Sequence, residues 1–561
     1  MGFITPAWVP KLPEIPDTLP LNDFIFEEEH GRAPIASSLD PYIDGVSGKS
    51  IGPLALKENV DCLARALARE LDWGVNKGSE FSKVAGIFAL NTIDVPAVNG
   101  AILRLNGVST PANAAYNATE LAHQLKTSKA QALFTVNPLL DVALAAAKAA
   151  GVRQSRVFLC ELPQDDTNAY PNNIRTISQL IEQGKALHPL AQVKWNPGQG
   201  ARQTAFLCYS SGTSGQPKGV MISHRNVIAN VIQIATFESQ MRVTFDGPNF
   251  RDVVLGILPQ SHIYGLVVIS HAATYRGDSV IILPSYDLET CLRSIQTHSI
   301  RTLFVVPPII NNMVQNQLLC QKYDLSSVKT IFSGAAPLGE ETIKCLKQHS
   351  VPSDLWFGSS GNLLPGHVAK VMSPGGKEIT TFDTPGELFV QGPTVALGYF
   401  MNEDATKETF VDHPDGRYMH TGDEVVFREA ASGSQHIFIV DRLKELIKVN
   451  GHQVAPAELE ACLLEHPEVA DCAVISVPDD RAGEVPKAYI VKASSIATPE
   501  GELKTQLQTY ITNRKARHKR LKGGIEFIDI IPKSDSGKIL RRILRDKDRA
   551  ERRQGSVTAK L

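Results

Sequence analysis

Short apolar runs of strand length alternate with helical segments through most of the chain. Residues 84–90 (VAGIFAL), 132–136 (ALFTV) and 279–283 (SVIIL) are continuously apolar, as in strands that are buried on both faces. Between such runs, residues 55–72 space their leucines at helical intervals. Strands that alternate with helices predict βαβ units around a mostly parallel sheet, so the predicted fold class is α/β.

The chain has 561 residues, too many for one hydrophobic core. From about residue 385 the pattern changes to GELFVQGP and HIFIVD, which predicts a β-rich subdomain, and the following segments predict a compact α+β unit. We therefore predict a large N-terminal domain over residues 1–440, a small mobile C-terminal domain over 441–547, and a polar tail over 548–561.

Charge and composition exclude several classes of protein. The formal net charge of -2 gives no general electrostatic reason to expect a nucleic acid as partner. The longest apolar stretch, residues 265–283, contains His271, Arg276 and Asp278, so we expect no membrane span. The cysteines are scattered without a C-x-x-C pair, which argues against a zinc site.

The loop at residues 209–219, YSSGTSGQPKG, directly follows the apolar run TAFLC. Glycines and small hydroxylated residues let backbone N–H groups approach phosphate oxygens closely, and a lysine adds positive charge. Pro217 and Gly219 stand where a Walker A loop has its second glycine and its Ser or Thr. The loop is therefore predicted to bind phosphate in another way. Its candidate residues are Ser210, Ser211, Gly212, Thr213, Ser214, Gly215 and Lys218.

This loop resembles the phosphate-binding motif of the adenylate-forming superfamily, which includes acyl-CoA synthetases, 4-coumarate–CoA ligases and beetle luciferases. Further stretches match in the family's order, at 259–265 (PQSHIYG), 333–339 (SGAAPLG), 417–423 (RYMHTGD), 441–448 (DRLKELIK), 451–458 (GHQVAPAE) and 532–538 (PKSDSGK). The resemblance covers roughly residues 50–547 and is nearest to 4-coumarate–CoA ligase-like enzymes. It implies ATP-dependent activation of a carboxylic acid to an acyl-adenylate, followed by transfer to CoA.

The resemblance also implies roles for single residues. Asp423 would hold the ribose hydroxyls, Arg442 would help to fix the sugar, and Lys538 would neutralise charge on the α-phosphate. Lys444 would be the hinge of the small domain. The implied catalytic residues are Lys538, Lys448 and His262. The implied acyl-substrate residues are His262, Tyr264, Gly334, Ala335 and Ala336.

For CoA, the resemblance implies contacts from Lys448, Gly451 and Gln453. The basic run at residues 513–520 (NRKARHKR) has two interpretations. It is either a solvated helix face, which is the more common case, or a contact to the phosphates of CoA.

One family motif is missing. Members carry an aromatic-Gly-x-Thr-Glu loop, whose Glu ligates Mg²⁺, between the SGAAPLG turn and a later Gly-rich segment. Here SGAAPLG ends at Gly339 and the later segment already begins at Gly358. The metal ligand therefore stays unassigned. Either the sequence has an internal deletion, or the chain is a catalytically impaired member that binds nucleotide or acyl group.

The expected small molecules are a carboxylic acid, ATP, Mg²⁺ and CoA. The last three residues, Ala559, Lys560 and Leu561, resemble a tripeptide that the peroxisomal import receptor reads. We therefore expect a peroxisomal enzyme, otherwise a cytoplasmic one, similar to fungal acyl-CoA ligases of secondary metabolism.

Overall fold

The computed structural model describes residues 3–163, 170–171, 173–210, 217–247, 249–335, 356, 358–450, 452–479, 481–493, 498–534 and 537–558. Its helices are α1 (Leu21–Phe26), α2 (Pro53–Leu71), α3 (Asp94–Arg104), α4 (Ala118–Thr127), α5 (Leu140–Ala150), α6 (Ile177–Lys185), α7 (Gln199–Arg202), α8 (His224–Asp246), α9 (Ala272–Arg276), α10 (Leu288–His298), α11 (Pro307–Gln315), α12 (Gln317–Cys320), α13 (Glu403–Thr409), α14 (Pro456–Leu464), α15 (Glu500–Arg514) and α16 (Arg541–Thr558). A π-helix spans Tyr264–His271, and a 3₁₀ turn spans Arg517–Lys519.

The strands, in chain order, are β1 (Phe3–Ile4), β2 (Tyr42–Asp44), β3 (Ser50–Ile51), β4 (Val84–Phe88), β5 (Val108–Ala112), β6 (Ala132–Val136), β7 (Val157–Cys160), β8 (Arg175–Thr176), β9 (Thr204–Ser210), β10 (Lys218–Ser223), β11 (Val253–Gly256), β12 (Ser279–Ile282), β13 (Thr302–Val305), β14 (Thr330–Ser333), β15 (Val368–Met372), β16 (Glu378–Ile379), β17 (Gly386–Gln391), β18 (Gly398–Tyr399), β19 (Phe410–His413), β20 (Gly416–Glu429), β21 (Gln435–Arg442), β22 (Ile447–Val449), β23 (His452–Val454), β24 (Val469–Asp479), β25 (Gly483–Lys492) and β26 (Ile525–Phe527).

Two mainly parallel sheets form the first part of the molecule. One has the order β18-β10-β9-β5-β4-β6-β7-β8 and the other β14-β13-β11-β12-β2-β3. Every residue of β4 and β6 is buried, because helices cover both faces of a parallel sheet. The predicted α/β class and the predicted runs at 84–90, 132–136 and 279–283 are confirmed.

The third sheet is the predicted β-rich subdomain. It has the order β1-β15-β17-β20-β19, with β16 paired to β15 and β21 paired to β20. All of its described pairings are antiparallel. Its strand β21 continues to Arg442, which lies just beyond the domain boundary predicted after residue 440.

The last sheet has the order β23-β22-β25-β24, with β26 added in parallel to β25. It forms its own hydrophobic core, whose buried members all lie between Ile447 and Leu544. This α+β unit is the small C-terminal domain expected from the sequence.

The tail predicted to begin at residue 548 starts inside a helix. Helix α16 runs unbroken from Arg541 to Thr558. Asp548 is buried, and its carboxylate pairs with Lys487 of β25 at 2.9 Å. The start of the predicted tail, at Asp548, therefore belongs to the C-terminal domain, because a buried ion pair attaches it there. No helix in the described part of the chain has the length and apolar character needed to cross a bilayer.

Candidate active site

The base of the predicted phosphate loop is a β-hairpin. Strands β9 and β10 are antiparallel, and Ser210 lies opposite Lys218. The loop residues between them, Ser211, Gly212, Thr213, Ser214 and Gly215, lie outside the described residues. Gly219 fits the hairpin because a Cβ there would be only 3.2 Å from the ring of Tyr209.

Lys218 points its ammonium over an aromatic ring. Its Nζ lies 5.2 Å from the ring centroid of Tyr399 on β18, a residue that belongs to none of the sequence motifs described above. Among the described residues the Lys218 ammonium has no ion-pair partner. A lysine held by a ring in this way keeps its charge free for a phosphate.

Asp423 and Arg442 face each other across the ladder of β20 and β21. Arg442 Nε lies 3.3 Å from Asp423 Oδ1. Burial raises the pKa of the Asp423 carboxyl, and the positive charges of Arg442 and Lys538 oppose that rise. The aspartate therefore stands among cations and can accept hydrogen bonds from two vicinal hydroxyl groups.

Lys538 reaches this place from the C-terminal domain on a tight loop. The Lys538 backbone N–H donates to Ser534 Oγ at 3.2 Å, and Ser534 N–H donates to the Lys538 carbonyl at 2.8 Å. Gly537 has a positive φ of 78°, and a Cβ there would lie 3.3 Å from the Pro308 ring. Glycine therefore allows both the turn and its close approach to the N-terminal domain.

The ionisation of Lys538 reflects its neighbours. Burial, and then the charge of Arg442, lower the pKa of the Lys538 ammonium, while Glu445 and Asp423 oppose this. No hydrogen bond or ion pair to its side chain is found within the described residues. The structure thus brings Asp423, Arg442 and Lys538 together from two domains, as one carboxylate and two cations.

His262 and Tyr264 begin the wall predicted for the acyl group. His262 Nδ1 accepts a hydrogen bond from the Tyr264 backbone N–H at 3.2 Å, so in the neutral ring the proton lies on Nε2. Burial lowers the pKa of His262. A neutral imidazole in this position can donate a hydrogen bond from Nε2 to a ligand.

Tyr264 joins the two predicted acyl motifs. It is the first residue of the π-helix, a widened turn that is frequent at functional sites. Its hydroxyl donates to the Phe332 carbonyl at 3.2 Å, and a Cβ on Gly334 would lie 3.2 Å from its ring. Ala335 has a φ of 70°, a strained conformation for a residue with a side chain. Ala336 lies outside the described residues.

The CoA candidates lie on the hairpin of β22 and β23. Lys448 is exposed, and its backbone N–H donates to Glu484 at 2.9 Å. Gly451 and the side chain of Gln453 lie outside the described residues. Lys448 and the group around Lys538 are therefore separate features of the same small domain.

The contacts of the chain change from one domain to the other at Lys444. Leu443 N–H donates to the Gly422 carbonyl at 2.9 Å, which is an N-terminal contact. Glu445, which is buried, instead pairs with Arg541 of helix α16. Lys444 lies between these two contacts, but the Asp441 carboxylate before it already accepts a hydrogen bond from the Ala457 N–H of helix α14 at 3.2 Å. The hinge role of Lys444 therefore stays a prediction.

Arg541 lies close to Lys538 in the sequence and was not identified by the sequence analysis. Its Nη2 contacts both carboxylate oxygens of Glu460 at 2.8 and 2.6 Å, and its Nε donates to the Val474 carbonyl at 3.1 Å. Its pairing with Glu445 ties helix α16 to the segment after the hinge. The only signal in the sequence was its position three residues after Lys538.

The region of the missing motif follows strand β14. Residues 336–355 and 357 lie outside the described residues. Strand β14 is at the edge of its sheet in the described part of the chain. Its adjacent residues Ile331 and Phe332 point to opposite faces of the sheet and are 38% and 48% exposed. In strands β11, β12 and β13 of the same sheet nearly every residue is buried, so the residues of β14 are more exposed than those of these three strands.

The described residues do not assemble a protein site for magnesium. Nowhere within them do three His, Cys, Asp or Glu side chains group around a possible ion.

Comparison with known proteins identifies the family. The model of the AMP-binding enzyme family matches residues 54–356, and that of the AMP-binding enzyme C-terminal domain matches residues 458–538. Acyl-CoA ligase AKT1 of Alternaria alternata is 38% identical over 575 residues, covering 97% of each chain. Acyl-CoA ligase easD of Emericella nidulans is 34% identical, covering 97% of this chain and 100% of its own.

The fold is shared with a solved structure. The anthranilate CoA ligase AuaEII in complex with anthranoyl-AMP superimposes with a TM-score of 0.77 at 21% identity, over 97% of this chain and 99% of that chain. The alignment with AKT1, at 575 residues, is longer than this whole chain of 561, so the relative has residues without a counterpart here. The chain belongs to the AMP-binding enzyme family and is an acyl-CoA ligase, which activates a carboxylic acid with ATP and transfers the acyl group to CoA.

Proposed function

We propose that this ligase carries out its two half-reactions in turn at one site, and that the structure has the domain arrangement of the first. The observation that carries the proposal is the meeting of Asp423 and Arg442 of the N-terminal domain with Lys538 of the C-terminal domain. These groups suit the ribose and the α-phosphate of ATP.

In the first half-reaction a carboxylate oxygen attacks the α-phosphorus of MgATP. The new bond is the P–O bond of the acyl-adenylate, and the bond to pyrophosphate breaks. Lys538 offsets the negative charge that gathers on the α-phosphate, Lys218 contacts the phosphates from the β10 side, and Asp423 accepts the ribose hydroxyls. Magnesium enters with ATP as part of the substrate.

In the second half-reaction the small domain rotates about Lys444, which withdraws Lys538 and brings the hairpin with Lys448 to the site. The CoA sulfur bonds to the acyl carbon, and the bond between acyl carbon and phosphate oxygen breaks, releasing AMP. His262, Tyr264 and Gly334 hold the acyl group during both steps. Holding both substrates in one cleft provides the necessary proximity.

The class of carboxylic acid is proposed from the relatives. AuaEII is described with anthranoyl-AMP, and the relatives are fungal acyl-CoA ligases. By analogy we propose an acid of secondary metabolism. The peroxisomal address predicted from Ala559, Lys560 and Leu561 lies outside the described residues and stays a prediction.

The test is acyl-CoA formation by the purified full chain with MgATP and CoA, over a panel of aryl, medium-chain and hydroxylated acids. We expect an acyl-CoA product from at least one class of acid, detected by mass spectrometry, with one AMP released per thioester. A folded chain that binds ATP but yields neither acyl-adenylate nor thioester from any acid would contradict the proposal and favour the nucleotide-binding alternative.

A further inference from the structure

A short strand from the β-rich subdomain crosses to the sheet that carries Lys218. Strand β18 lies between β17 and β19 along the chain, and both of these belong to the third sheet. Strand β18 instead pairs with β10, where Tyr399 lies opposite Val220. The backbone N–H of Phe400 donates to the Gly219 carbonyl at 2.8 Å. The ladder therefore fixes Tyr399 beside the strand on which Lys218 lies.

The position of Tyr399 is also set by the elements that follow it. Its backbone N–H donates to Thr406 Oγ1 of helix α13 at 2.9 Å, and its ring packs against that of Phe410 on β19, with 5.8 Å between the centroids. The Arg417 guanidinium lies 4.7 Å from the centroid of Phe410 and donates to both carbonyls of residues 396–397, each at 2.8 Å. Tyr399 therefore has little freedom to move relative to β10.

A column of side chains connects two strands that carry predicted nucleotide contacts. It runs from cation to ring to ring to cation, through Arg417, Phe410, Tyr399 and Lys218, with 4.7, 5.8 and 5.2 Å between successive groups. Arg417 lies on β20, the strand that also carries Asp423, and Lys218 lies on β10. Neither cation has a carboxylate partner in the part of the chain that the structure describes. The column therefore relates the position of Lys218 to the strand with Asp423.

An aromatic ring is a suitable partner for a lysine that has to bind phosphate. A lysine side chain is flexible, so ordering it costs conformational entropy. A carboxylate would order the side chain but would neutralise its charge, whereas the face of a ring attracts the ammonium and leaves its N–H donors available. The contact with Tyr399 therefore orders Lys218 before the nucleotide binds and does not compete with the phosphates.

We propose that Tyr399 is a positioning residue of the ligase, whose ring holds the Lys218 ammonium where the phosphate groups of ATP and of pyrophosphate bind. The inference rests on the role proposed above for Lys218 in the first half-reaction. Tyr399 acts through the lysine and not by contact with the substrate. Its loss should weaken the binding of MgATP and pyrophosphate. The second half-reaction starts from acyl-adenylate and CoA and should not change.

The test compares Tyr399→Phe, which keeps the ring, with Tyr399→Leu, which removes it. For Tyr399→Leu we expect the Kd for MgATP, measured by calorimetry, and the KM for pyrophosphate in acid-dependent exchange to rise about fivefold, the size of one cation–π contact. Tyr399→Phe should stay within about twofold of the parent chain, because a phenyl ring also attracts a cation. Thioester formation from supplied acyl-adenylate is the readout of folding and should be equal in all variants.

A double-mutant cycle separates positioning from a purely structural effect. If Tyr399 acts through Lys218, then Tyr399→Leu should not raise the Kd for MgATP any further in a chain that already carries Lys218→Met. Phe400→Leu is the matched control, since Phe400 is the next residue and its ring lies 5.7 Å from the ammonium of a different lysine, Lys129. The Kd of this control for MgATP should equal that of the parent chain.

Two failures are distinguishable. If the parent chain shows no acid-dependent exchange and no thioester, the proposed function fails, and the cycle on MgATP binding still decides whether Tyr399 acts through Lys218. The proposed function stands and the role of Tyr399 is wrong if the parent chain forms thioester and one of three results is found. Tyr399→Leu binds MgATP like the parent chain, or Tyr399→Phe loses as much affinity as Tyr399→Leu, or Tyr399→Leu causes its full loss in the Lys218→Met background. A parent chain that does not bind MgATP would refute both.

Discussion

Lys538 shows how one residue links the structure to the first half-reaction. Its ammonium lies near the Asp423 carboxylate and the Arg442 guanidinium, although no ion pair or hydrogen bond joins it to a described side chain. Burial and the nearby guanidinium lower its pKa. Because Lys538 lies beside the aspartate that is predicted to hold the ribose of ATP, we expect its ammonium to meet the α-phosphate of the same nucleotide.

We therefore predict that Lys538→Ala lowers acid-dependent pyrophosphate exchange by about 10²–10³-fold, the range found when one oxyanion contact is removed. Thioester formation from supplied acyl-adenylate should change far less, because Lys538 has left the site by then. Lys522→Ala, an exposed lysine of the same domain, is the control. Equal loss in both half-reactions would argue against a role confined to adenylation.

His224 is a second residue whose environment sets a measurable property. Its Nδ1 accepts a hydrogen bond from Leu21 N–H at 3.0 Å, its ring packs edge-on against Trp195, and its Nε2 is buried without a hydrogen-bond partner. Burial lowers the pKa of His224 to about 3. The histidine thus connects α1 with the start of α8 as a neutral ring.

This gives a prediction for stability against pH. The unfolded chain protonates this histidine below its ordinary pKa of about 6.5, whereas the folded chain resists, so the free energy of unfolding falls as pH decreases from there toward 3. By pH 5 the loss from this group is about 2 kcal/mol. His224→Asn keeps an acceptor for Leu21 but does not titrate. Urea unfolding at pH 7 and pH 5 should show a smaller loss for the variant, and equal losses would refute the assignment.

At the scale of elements, the feature that organises the C-terminal domain is a buried ionic cluster at the start of helix α16. Arg541, Glu445 and Glu460 are all largely buried, at 11%, 7% and 9% side-chain exposure. The cluster joins the segment after the hinge, helix α14 and strand β24, and it begins three residues after Lys538. It therefore connects the hinge to the catalytic loop as one body.

We predict that Arg541→Met destabilises this domain by about 3–5 kcal/mol, because it leaves two buried carboxylates without a counter-charge. Pyrophosphate exchange should fall as well, since the loop with Lys538 loses its anchor. Arg549→Met, which removes an exposed arginine from the same helix, should melt and react like the parent chain. A melting temperature for Arg541→Met equal to that of the parent would show that the cluster contributes little.

Elements with strong local patterns were predictable, and those that depend on distant partners were not. Strands β4 and β6 are apolar throughout, and the prediction of both was right. Strand β5, whose fourth residue is Pro111, resembles a loop in sequence and exists because β4 and β9 flank it in parallel. The partners of Arg541 lie 81 and 96 residues away along the chain, and no local pattern indicates them.

At the scale of the whole molecule, the ordered motifs predicted which domains meet and with which residues. The meeting of Asp423, Arg442 and Lys538 follows from motifs that are far apart in sequence. The sequence did not show that Ile331 and Phe332 of β14 are partly exposed, because exposure depends on which other elements pack against the strand. The sequence that follows β14 lacks the family's Thr-Glu motif. A measurement of adenylation by this chain therefore also tests whether the reaction needs that motif.

The most direct measurement is exchange of labelled pyrophosphate into ATP by the full chain, with and without each acid of the panel. The arrangement of Lys538 with Asp423 and Arg442 predicts exchange that depends on acid and is lost in Lys538→Ala. No exchange with any acid, from a folded chain that still binds ATP, would contradict the account and would mean that this chain does not adenylate without the missing loop.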